Sequence, residues 1–374
     1  MRFATLVARN LLRRKVRTAL TVAGLAIGIA AVVALLGIAW GFERSFLKIY
    51  ESKRIDLVVV RAGVSDRLTS NLDEKVGDEL RRIKGVRALA GSLMDVVSFE
   101  EANLVSVLVN GWEPGSLLFR GIRVLKGRAL REGDAKAALL GRVLALNLGK
   151  DVGDTVDVAG EPFHVVGIFE SDSLFENGGL VVPLAELQRM MGRKGYVSGF
   201  VIEADEPDRA GVEMLAHRIE SQIPGVAAVP ARDFVRSDIQ IRLVKAMAWA
   251  TSVIALVLGS VGILNTMMMA VFERTGEIGV LRALGWRRPR ILGLILGEAM
   301  AVGLVGSAIG VGLGVLGVRA LALEPTSSTF ISPDLSPAVL GVGLVLGIGL
   351  SLLGGLYPAA RAAALDPTEA LRHE

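Results

Sequence analysis

The sequence contains no cysteine and only three histidines among its 374 residues. Without cysteine, the chain has no disulfide scaffold, no thiolate metal site and no cysteine nucleophile. The histidines His164, His217 and His373 do not stand at the spacing of metal ligands, which argues against a histidine-based metal or acid–base centre. These absences exclude several classes of enzyme.

Motifs that bind nucleotide or hydrolyse a substrate are missing as well. No phosphate loop of the form G-x-x-x-x-G-K-S/T occurs, because the segment Gly149–Lys150–Asp151 lacks both the upstream glycine and the hydroxyl. Neither a G-x-S-x-G elbow nor an H-E-x-x-H motif is present. The sequence therefore predicts a protein that is not an enzyme, holds no metal or cofactor, and does not bind ATP by that route.

Apolar residues, in contrast, are abundant: they make up 52% of the chain, which also has 44 glycines. Four stretches reach the roughly 20 apolar residues that a helix needs to cross a bilayer. None shows the polar face expected of a core helix of this length. Because the first apolar run is longer than that of a signal peptide and three more follow, it is interpreted as a retained anchor. The predicted spans are 19–40, 246–272, 291–318 and 335–360.

The distribution of lysine and arginine predicts the orientation of these spans. Residues 1–18 carry six basic residues and no acid, loop 273–290 carries five against two acids, and loop 319–334 carries one against two. The N-terminus, loop 273–290 and the tail 361–374 are therefore predicted to be cytoplasmic in a bacterial inner membrane, with 319–334 outside. The basic residues that give the formal net charge of +4 are concentrated beside the predicted spans, which contact lipid, so no nucleic-acid partner is expected.

Residues 41–245 then form one large extracytoplasmic insertion that mixes strands with helices. Residues 151–169 read as a hairpin with its turn at 159–162. The predicted fold is an integral membrane α-helical protein with four transmembrane helices and an α+β domain inserted between spans one and two. Its predicted strands are 55–61, 104–110, 155–158, 163–169, 179–182 and 197–203, and its predicted helices are 72–83, 141–148, 184–191 and 209–223.

Both ends of the insertion have helical periodicity. Two interpretations remain open: amphipathic helices lying on the membrane surface, or a stalk that couples spans one and two to the outer domain. The residues that carry the two patterns are Phe42, Phe46, Ile49 and Tyr50 after span one, and Val235, Ile239, Arg242 and Leu243 before span two.

Small and polar residues inside the spans indicate helix packing. The sets Gly24/Gly28, Gly306/Gly310/Gly314 and Gly343/Gly347 permit close approach of helices. Glu298 costs about 2.5–3.5 kcal/mol in lipid on insertion scales, so it is expected to face a protein neighbour or to lie near the cytoplasmic interface. A hydrogen-bonded packing role is favoured for it over a proton or coupling site, and Asn265 is expected to join helices rather than to bind substrate.

The segment 262–290 carries the most information about function. A short helix with the small residues Gly276, Gly279 and Ala283 follows span two, and Gly285 suits its C-terminal cap. The basic residues of this segment would be explained by a simple cytoplasmic turn between two spans. Such a turn would not require the small residues, which permit a partner protein to approach the helix closely.

Three motifs resemble the permeases of macrolide-exporter-type (MacB-like) ABC transporters. The first is E-R-T-x-E-I-G-x-x-x-A-x-G at 273–285, preceded by Asn265. The second is the closing Y-P-A-x-x-A-x-x-x-x-P-x-E-A-L-R at 357–372, and the third is Gly297–Glu298–Ala299 followed by spaced glycines. One departure is Gly276, where the family often has arginine.

The resemblance implies a permease subunit that works as a homodimer, or as a heterodimer with a related permease, and is driven by a separate ABC ATPase that binds the ATP. Spans one and two would form the dimer interface, and a periplasmic adaptor or a lipoprotein carrier is a further partner. Two alternatives are an FtsX-like signal relay that regulates a cell-wall hydrolase and a lipoprotein-releasing permease. The residues that would lie against the ATPase are Glu273, Arg274, Glu277, Gly279, Arg282, Ala283 and Gly285; those expected to pack or couple the spans are Gly24, Gly28, Asn265, Glu298, Gly306 and Gly310.

Overall fold

The computed structural model describes residues 15–64, 68–323 and 334–365. Most of them fall into two compact units: a helical unit (15–40, 245–321 and 334–365) and an inserted domain (41–64 and 68–244). The predicted basic leader up to residue 14, most of the loop 319–334 and the closing motif from residue 366 lie outside the described residues.

The described helices include four that are long and apolar enough to cross a membrane, namely those over Lys15–Lys53, Ile239–Phe272, Arg288–Leu321 and Pro337–Ala364. In chain order the helices are α1 Lys15–Lys53, α2 Val76–Arg82, α3 Arg142–Leu148, α4 Leu174–Asn177, α5 Leu184–Met190, α6 Arg209–Gln222, α7 Ala231–Ser237, α8 Ile239–Phe272, α9 Thr275–Ala283, α10 Arg288–Leu323 and α11 Pro337–Ala364.

The inserted domain is built on one mixed sheet in the order β12-β1-β11-β3-β4-β9-β6-β8-β5, with β7 paired to β8 and a separate pair β10-β2. The pairs β4–β9 and β6–β8 are parallel and the other pairs are antiparallel. In chain order the strands are β1 Leu57–Arg61, β2 Leu72–Asp73, β3 Val86–Phe99, β4 Leu104–Trp112, β5 Ile122–Gly127, β6 Ala137–Gly141, β7 Thr155–Val158, β8 Glu161–Ser171, β9 Leu180–Pro183, β10 Tyr196–Val197, β11 Gly199–Ala204 and β12 Val226–Pro230.

Strand β1 shows how the sheet is covered on both faces. Leu57 and Val59 pack in one hydrophobic core, and Val58 and Val60 pack in the other. Side chains alternate between the two faces of a strand, so an unbroken apolar run is what a strand buried on both faces requires. Together with the four apolar helices, this α+β insertion confirms the predicted fold class.

The predicted hairpin within 151–169 is present as β7 and β8, with Val158 opposite Glu161. Its turn is shorter than predicted and consists of Ala159 and Gly160, both in the left-handed region at φ 52° and 84°. Two-residue turns with positive φ match the twist of the strands that they join. Glu161 therefore belongs to β8 rather than to the turn.

Some elements differ from the sequence prediction. The helix predicted over 72–83 is wrong at its start, because Leu72–Asp73 pairs with β10 and the helix begins at Val76. The strands β3, β5, β6 and β12 were not predicted. β3 combines Ala, Leu, Met and Gly91 without a clean alternation. Its strand structure depends on pairing with both β4 and β11.

The helical ends of the insertion pack into the core of the inserted domain. Helix α1 continues without a break to Lys53, and its Tyr50 is buried in the same cluster as Phe234 and Val235. The second end is interrupted: α7 stops at Ser237, and the Asp238 carboxylate accepts hydrogen bonds from the backbone N–H groups of Gln240 and Ile241 at the start of α8. This burial favours protein packing over helices that lie on a lipid surface.

Candidate coupling site

Helix α9 lies between the long helices α8 and α10 in the chain, and an apolar cluster holds it in place. Its Ile278 is buried with Ile291 and Ile295 of α10 and with Ala359 of α11, and Leu281 packs at the edge. The turn that ends α9 follows the Schellman pattern. Gly285 has φ +92°, its N–H donates to the Arg282 carbonyl, and the Trp286 N–H donates to the Leu281 carbonyl.

Arg274 joins this segment to the first third of α10 through an ion pair. Its guanidinium nitrogen Nη1 donates to both carboxylate oxygens of Glu298, at 3.0 and 3.1 Å, and its Nε donates to Glu277 at 3.3 Å. The side chains of Arg274 and Glu298 are 18% and 7% exposed. Burial lowers the pKa of Arg274, but the charge and hydrogen bonds of Glu298 outweigh it, so the net pKa shift is upward.

The surroundings of this pair are apolar. A cavity of only about 10 Å³ beside it is lined by apolar side chains such as Met267, Ile278 and Ile295. A second ion pair at 2.7 Å joins Arg17 of α1 to Glu273, the residue just before Arg274. The linker between α8 and α9 is thus tied to both α1 and α10.

The opposite side of α9 is exposed. Gly276, Val280 and Leu284 are exposed at intervals of four residues, and Leu284 is 75% exposed. Ala283 and Glu277 are exposed beside them. The small residues Gly276, Gly279 and Ala283 do not share one open face, because Gly279 is buried with Ile278.

The remaining predicted residues fall into two groups. A Cβ on Gly306 would lie 2.7 Å from the Leu25 side chain, and one on Gly310 would lie 2.7 Å from the Ala26 carbonyl oxygen, so α1 packs against α10 at positions where α10 has glycine. Gly24, Gly28 and Asn265 instead line a groove of about 660 Å³ between α1 and α8.

Replacing Gly310 with alanine is expected to lower the free energy of unfolding in detergent by about 1–3 kcal/mol, because the new methyl group overlaps the α1 backbone. The matched control is Gly312→Ala in the same helix, where a Cβ meets nothing within 4 Å. That variant should be unchanged or slightly more stable, since alanine is favoured over glycine in helices. Equal losses in the two variants, measured by unfolding in mixed micelles, would contradict this packing.

Sequence reasoning missed three features of the site. Val280 and Leu284 received no role, although their spacing of four residues places them on one helix face. The partner of Glu298 was not identified either, because Arg274 lies 24 residues earlier in the chain and only tertiary packing brings the two together. Arg17 entered only as part of the basic leader.

The fold and this segment define a polytopic membrane protein in which a short helix between two spans has one anchored face and one open face. A family model described as MacB-like periplasmic core domain matches residues 18–222, and one described as FtsX-like permease C-terminal matches residues 249–367. The chain belongs to the MacB-like family of ABC-transporter permeases and is a multi-pass membrane protein. The resemblance identified in its motifs is thereby confirmed.

Curated relatives match nearly the whole chain, and two of them differ in how much longer they are. A macrolide export ATP-binding/permease protein, MacB, of Hyphomonas neptunium is 30% identical over 98% of this chain, and the match covers 60% of that protein. An uncharacterized ABC transporter permease, YknZ, of Bacillus subtilis is 25% identical, with 98% of this chain and 97% of the relative covered. The chain thus spans about 60% of the length of the MacB relative.

Among solved structures, the periplasmic region of MacB from Actinobacillus actinomycetemcomitans matches 51% of this chain and 97% of its own, at 16% identity and a TM-score of 0.39.

Proposed function

We propose that the chain is the membrane subunit of a MacB-like ABC transporter, in which a separate ATPase binds the exposed face of α9. ATP hydrolysis by that subunit would change the conformation of the inserted domain, which acts on substrate outside the inner membrane. The observation that carries the proposal is the division of α9 into one face tied to the spans and one face left open.

The open face has the composition of a protein contact. Val280 and Leu284 are apolar and exposed on a helix that precedes the arginines of α10. Burying a leucine side chain is worth about 1.5–3 kcal/mol, so this pair can anchor a partner. Within the predicted polar set, Glu277 and Arg282 are assigned contacts with the ATPase. Glu273 and Arg274 are assigned to holding the helix, since they pair with residues of other helices, Arg17 of α1 and Glu298 of α10. Glu277 also contacts Arg274, but its side chain is 55% exposed.

The proposed orientation follows from the charge pattern and the family. Loop 273–290 and both termini would lie in the cytoplasm, and the inserted domain would lie in the periplasm, as the description of the matching family model supports. In that orientation α9 would lie on the side of the membrane where ATP is available.

The groove between α1 and α8 supports a dimer. Gly24 and Gly262 line it, a Cβ on either meets nothing within 4 Å, and Leu20 and Leu258 beside them are exposed. A helix from a second copy, or from a related permease, would fill this groove by the close approach that small residues allow.

The substitution Leu284→Asp tests the ATPase contact. Placing a charge where an apolar side chain would be buried is expected to weaken association with a candidate ABC ATPase subunit by more than about tenfold, and to lower ATP turnover of the complex in proportion. The control is Leu146→Asp in α3, which is 70% exposed and far from α9 in the chain. Co-purification and ATP turnover are measured for both; if Leu284→Asp behaves like the control, the assignment of α9 is wrong.

A further inference from the structure

Within the described residues of the helical unit, aromatic side chains lie only near the ends of the predicted spans. Trp40 and Trp249 stand at the end that adjoins the inserted domain in the chain, and Phe272, Trp286 and Tyr357 stand at the opposite end. Tryptophan and tyrosine are enriched at the two membrane–water interfaces. Residues beside Trp286 and Tyr357 therefore lie at the depth of the lipid head groups.

Four exposed arginines stand at this second end. Arg287, Arg288 and Arg290 lie between Trp286 and the third predicted span, and Arg361 immediately follows the fourth. We call these four arginines the basic belt. Because two of its members directly adjoin a span, the belt is placed beside the bilayer rather than further out in the water.

Packing brings the two parts of the basic belt to one place. Trp286 packs against an apolar cluster that joins Ile291 of α10 to Ala359 of α11. The start of α10 and the last turns of α11 therefore lie side by side. The guanidinium of Arg361 lies over the Phe272 ring, 5.4 Å from its centre. Such a cation–π contact holds the arginine at the level of the aromatic side chains.

The basic belt has no counterion of its own. Among the described residues, no carboxylate pairs with any of its four arginines. The acidic residues on this side of the unit are engaged elsewhere: Glu273 pairs with Arg17, and Glu277 and Glu298 pair with Arg274. The four guanidinium groups are therefore available to an anion from outside the chain.

The depth and the chemistry of the basic belt favour a lipid as that anion. A guanidinium presents a planar set of donors that matches a phosphate group, and basic clusters beside spans attract anionic lipids. A zwitterionic lipid also has a phosphate, but its own positive group offsets the attraction. The exposed apolar pair on α9, Val280 and Leu284, has a different composition and is the surface assigned to a protein partner.

We propose that the basic belt binds the phosphate groups of anionic membrane lipids. A lipid held there fixes the depth of α10 and α11 in the membrane. The site depends only on the helical unit in a bilayer, so it stands whether or not α9 binds an ATPase.

The test uses Trp286 as a reporter of the lipids around the basic belt. The chain has 4 tryptophans, of which Trp112 is buried in the inserted domain, so Trp40→Phe with Trp249→Phe leaves Trp286 as the one that lipid can reach. The full chain with these changes is placed in bilayers containing phosphatidylglycerol or phosphatidylcholine brominated on the acyl chains, which quenches nearby tryptophan. At low salt, quenching is expected to show a preference of at least about fivefold for phosphatidylglycerol.

Substitutions separate charge from packing. Changing all four arginines of the basic belt to glutamine is expected to remove the preference, whereas changing all four to lysine keeps the charge and should retain most of it. Singly, Arg290→Gln should lower the preference at least about twofold. Its matched control is Arg319→Gln, which removes an exposed arginine from the opposite end of α10 and should leave the preference unchanged.

Salt provides a measurement that needs no change to the basic belt. Raising the ionic strength from about 0.01 M to about 1 M shortens the Debye length from about 30 Å to about 3 Å, so the preference for phosphatidylglycerol should be largely lost. This result remains available if the quadruple Arg→Gln substitution prevents membrane insertion.

Three outcomes would overturn the proposal. The first is equal quenching of Trp286 by the two lipids at low salt. The second is a loss of preference on changing the four arginines to lysine that is as large as the loss on changing them to glutamine, because charge would then not be the cause. The third is a lipid preference that survives the quadruple Arg→Gln substitution while binding of the ATPase is lost, since the basic belt would then be a protein contact.

Discussion

Replacing Glu298 with leucine is expected to lower the free energy of unfolding in detergent by about 3 kcal/mol. Removing one partner of a buried ion pair leaves the other charge without compensation, which costs about 3–5 kcal/mol. The lower end applies because Arg274 keeps its contact with Glu277. Chemical unfolding in mixed micelles measures the loss.

A double-mutant cycle isolates the pair. Adding Arg274→Met to Glu298→Leu removes the orphaned charge and should recover much of the lost stability, since replacing both charges by apolar groups is often neutral. The control is Glu277→Gln, which removes the more exposed partner of Arg274 and should cost less than about 1 kcal/mol. Additive effects of the two single variants would show that the Arg274–Glu298 contact is not an energetic unit.

Replacing Lys53 with methionine is expected to destabilise the inserted domain by about 3–5 kcal/mol. Lys53 is fully buried at the end of α1, and its ammonium group lies 3.0 Å from Glu176 Oε1, 3.1 Å from the Arg120 carbonyl oxygen and 5.2 Å from the centre of a Trp112 ring. Without it, the Glu176 carboxylate is a buried charge whose Oε2 atom has no hydrogen-bond partner among the described residues. Tryptophan fluorescence during denaturation reports the change.

Two further variants test whether the loss of stability in Lys53→Met comes from the buried Glu176 charge. Combining Lys53→Met with Glu176→Gln removes the stranded charge and should restore a large part of the stability. Lys126→Met disrupts an ion pair with Asp151 in which both side chains are exposed, and should change stability by less than about 1 kcal/mol. A loss in Lys126→Met as large as that in Lys53→Met would refute the claim that burial sets the effect.

The membrane architecture follows from sequence because hydropathy is a local property. Each predicted span lies within or closely overlaps one apolar helix, although the helices extend further, as α1 does from Lys15 to Lys53. The extension could be foreseen from the spacing of Phe42 and Phe46. The break at Asp238 was not foreseen, although the aspartate that caps α8 is visible in the sequence.

The pairing of charges did not follow from sequence. Lys53 has the sequence context of an ordinary surface lysine next to Arg54, yet the sheet and α4 close over it. The sequence indicated that Glu298 needs a partner, because a charge inside an apolar span is costly. Only the packing of α9 against α10 shows that this partner is Arg274, whose side chain is turned away from the open face of α9. Strand β6 was missed for a related reason: its Ala-Ala-Leu-Leu sequence suits a helix, and only its position between β8 and β9 makes it a strand.

The first and last strands of the inserted domain are neighbours in its sheet, with Leu57 opposite Pro230 and Arg61 opposite Val226. A domain whose first and last strands are adjacent can be inserted between two helices of another domain, because its two ends lie close together. If α9 binds the ATPase as proposed, exchange of the whole inserted domain between permeases would change the surface presented outside the membrane and leave the ATPase contact unchanged.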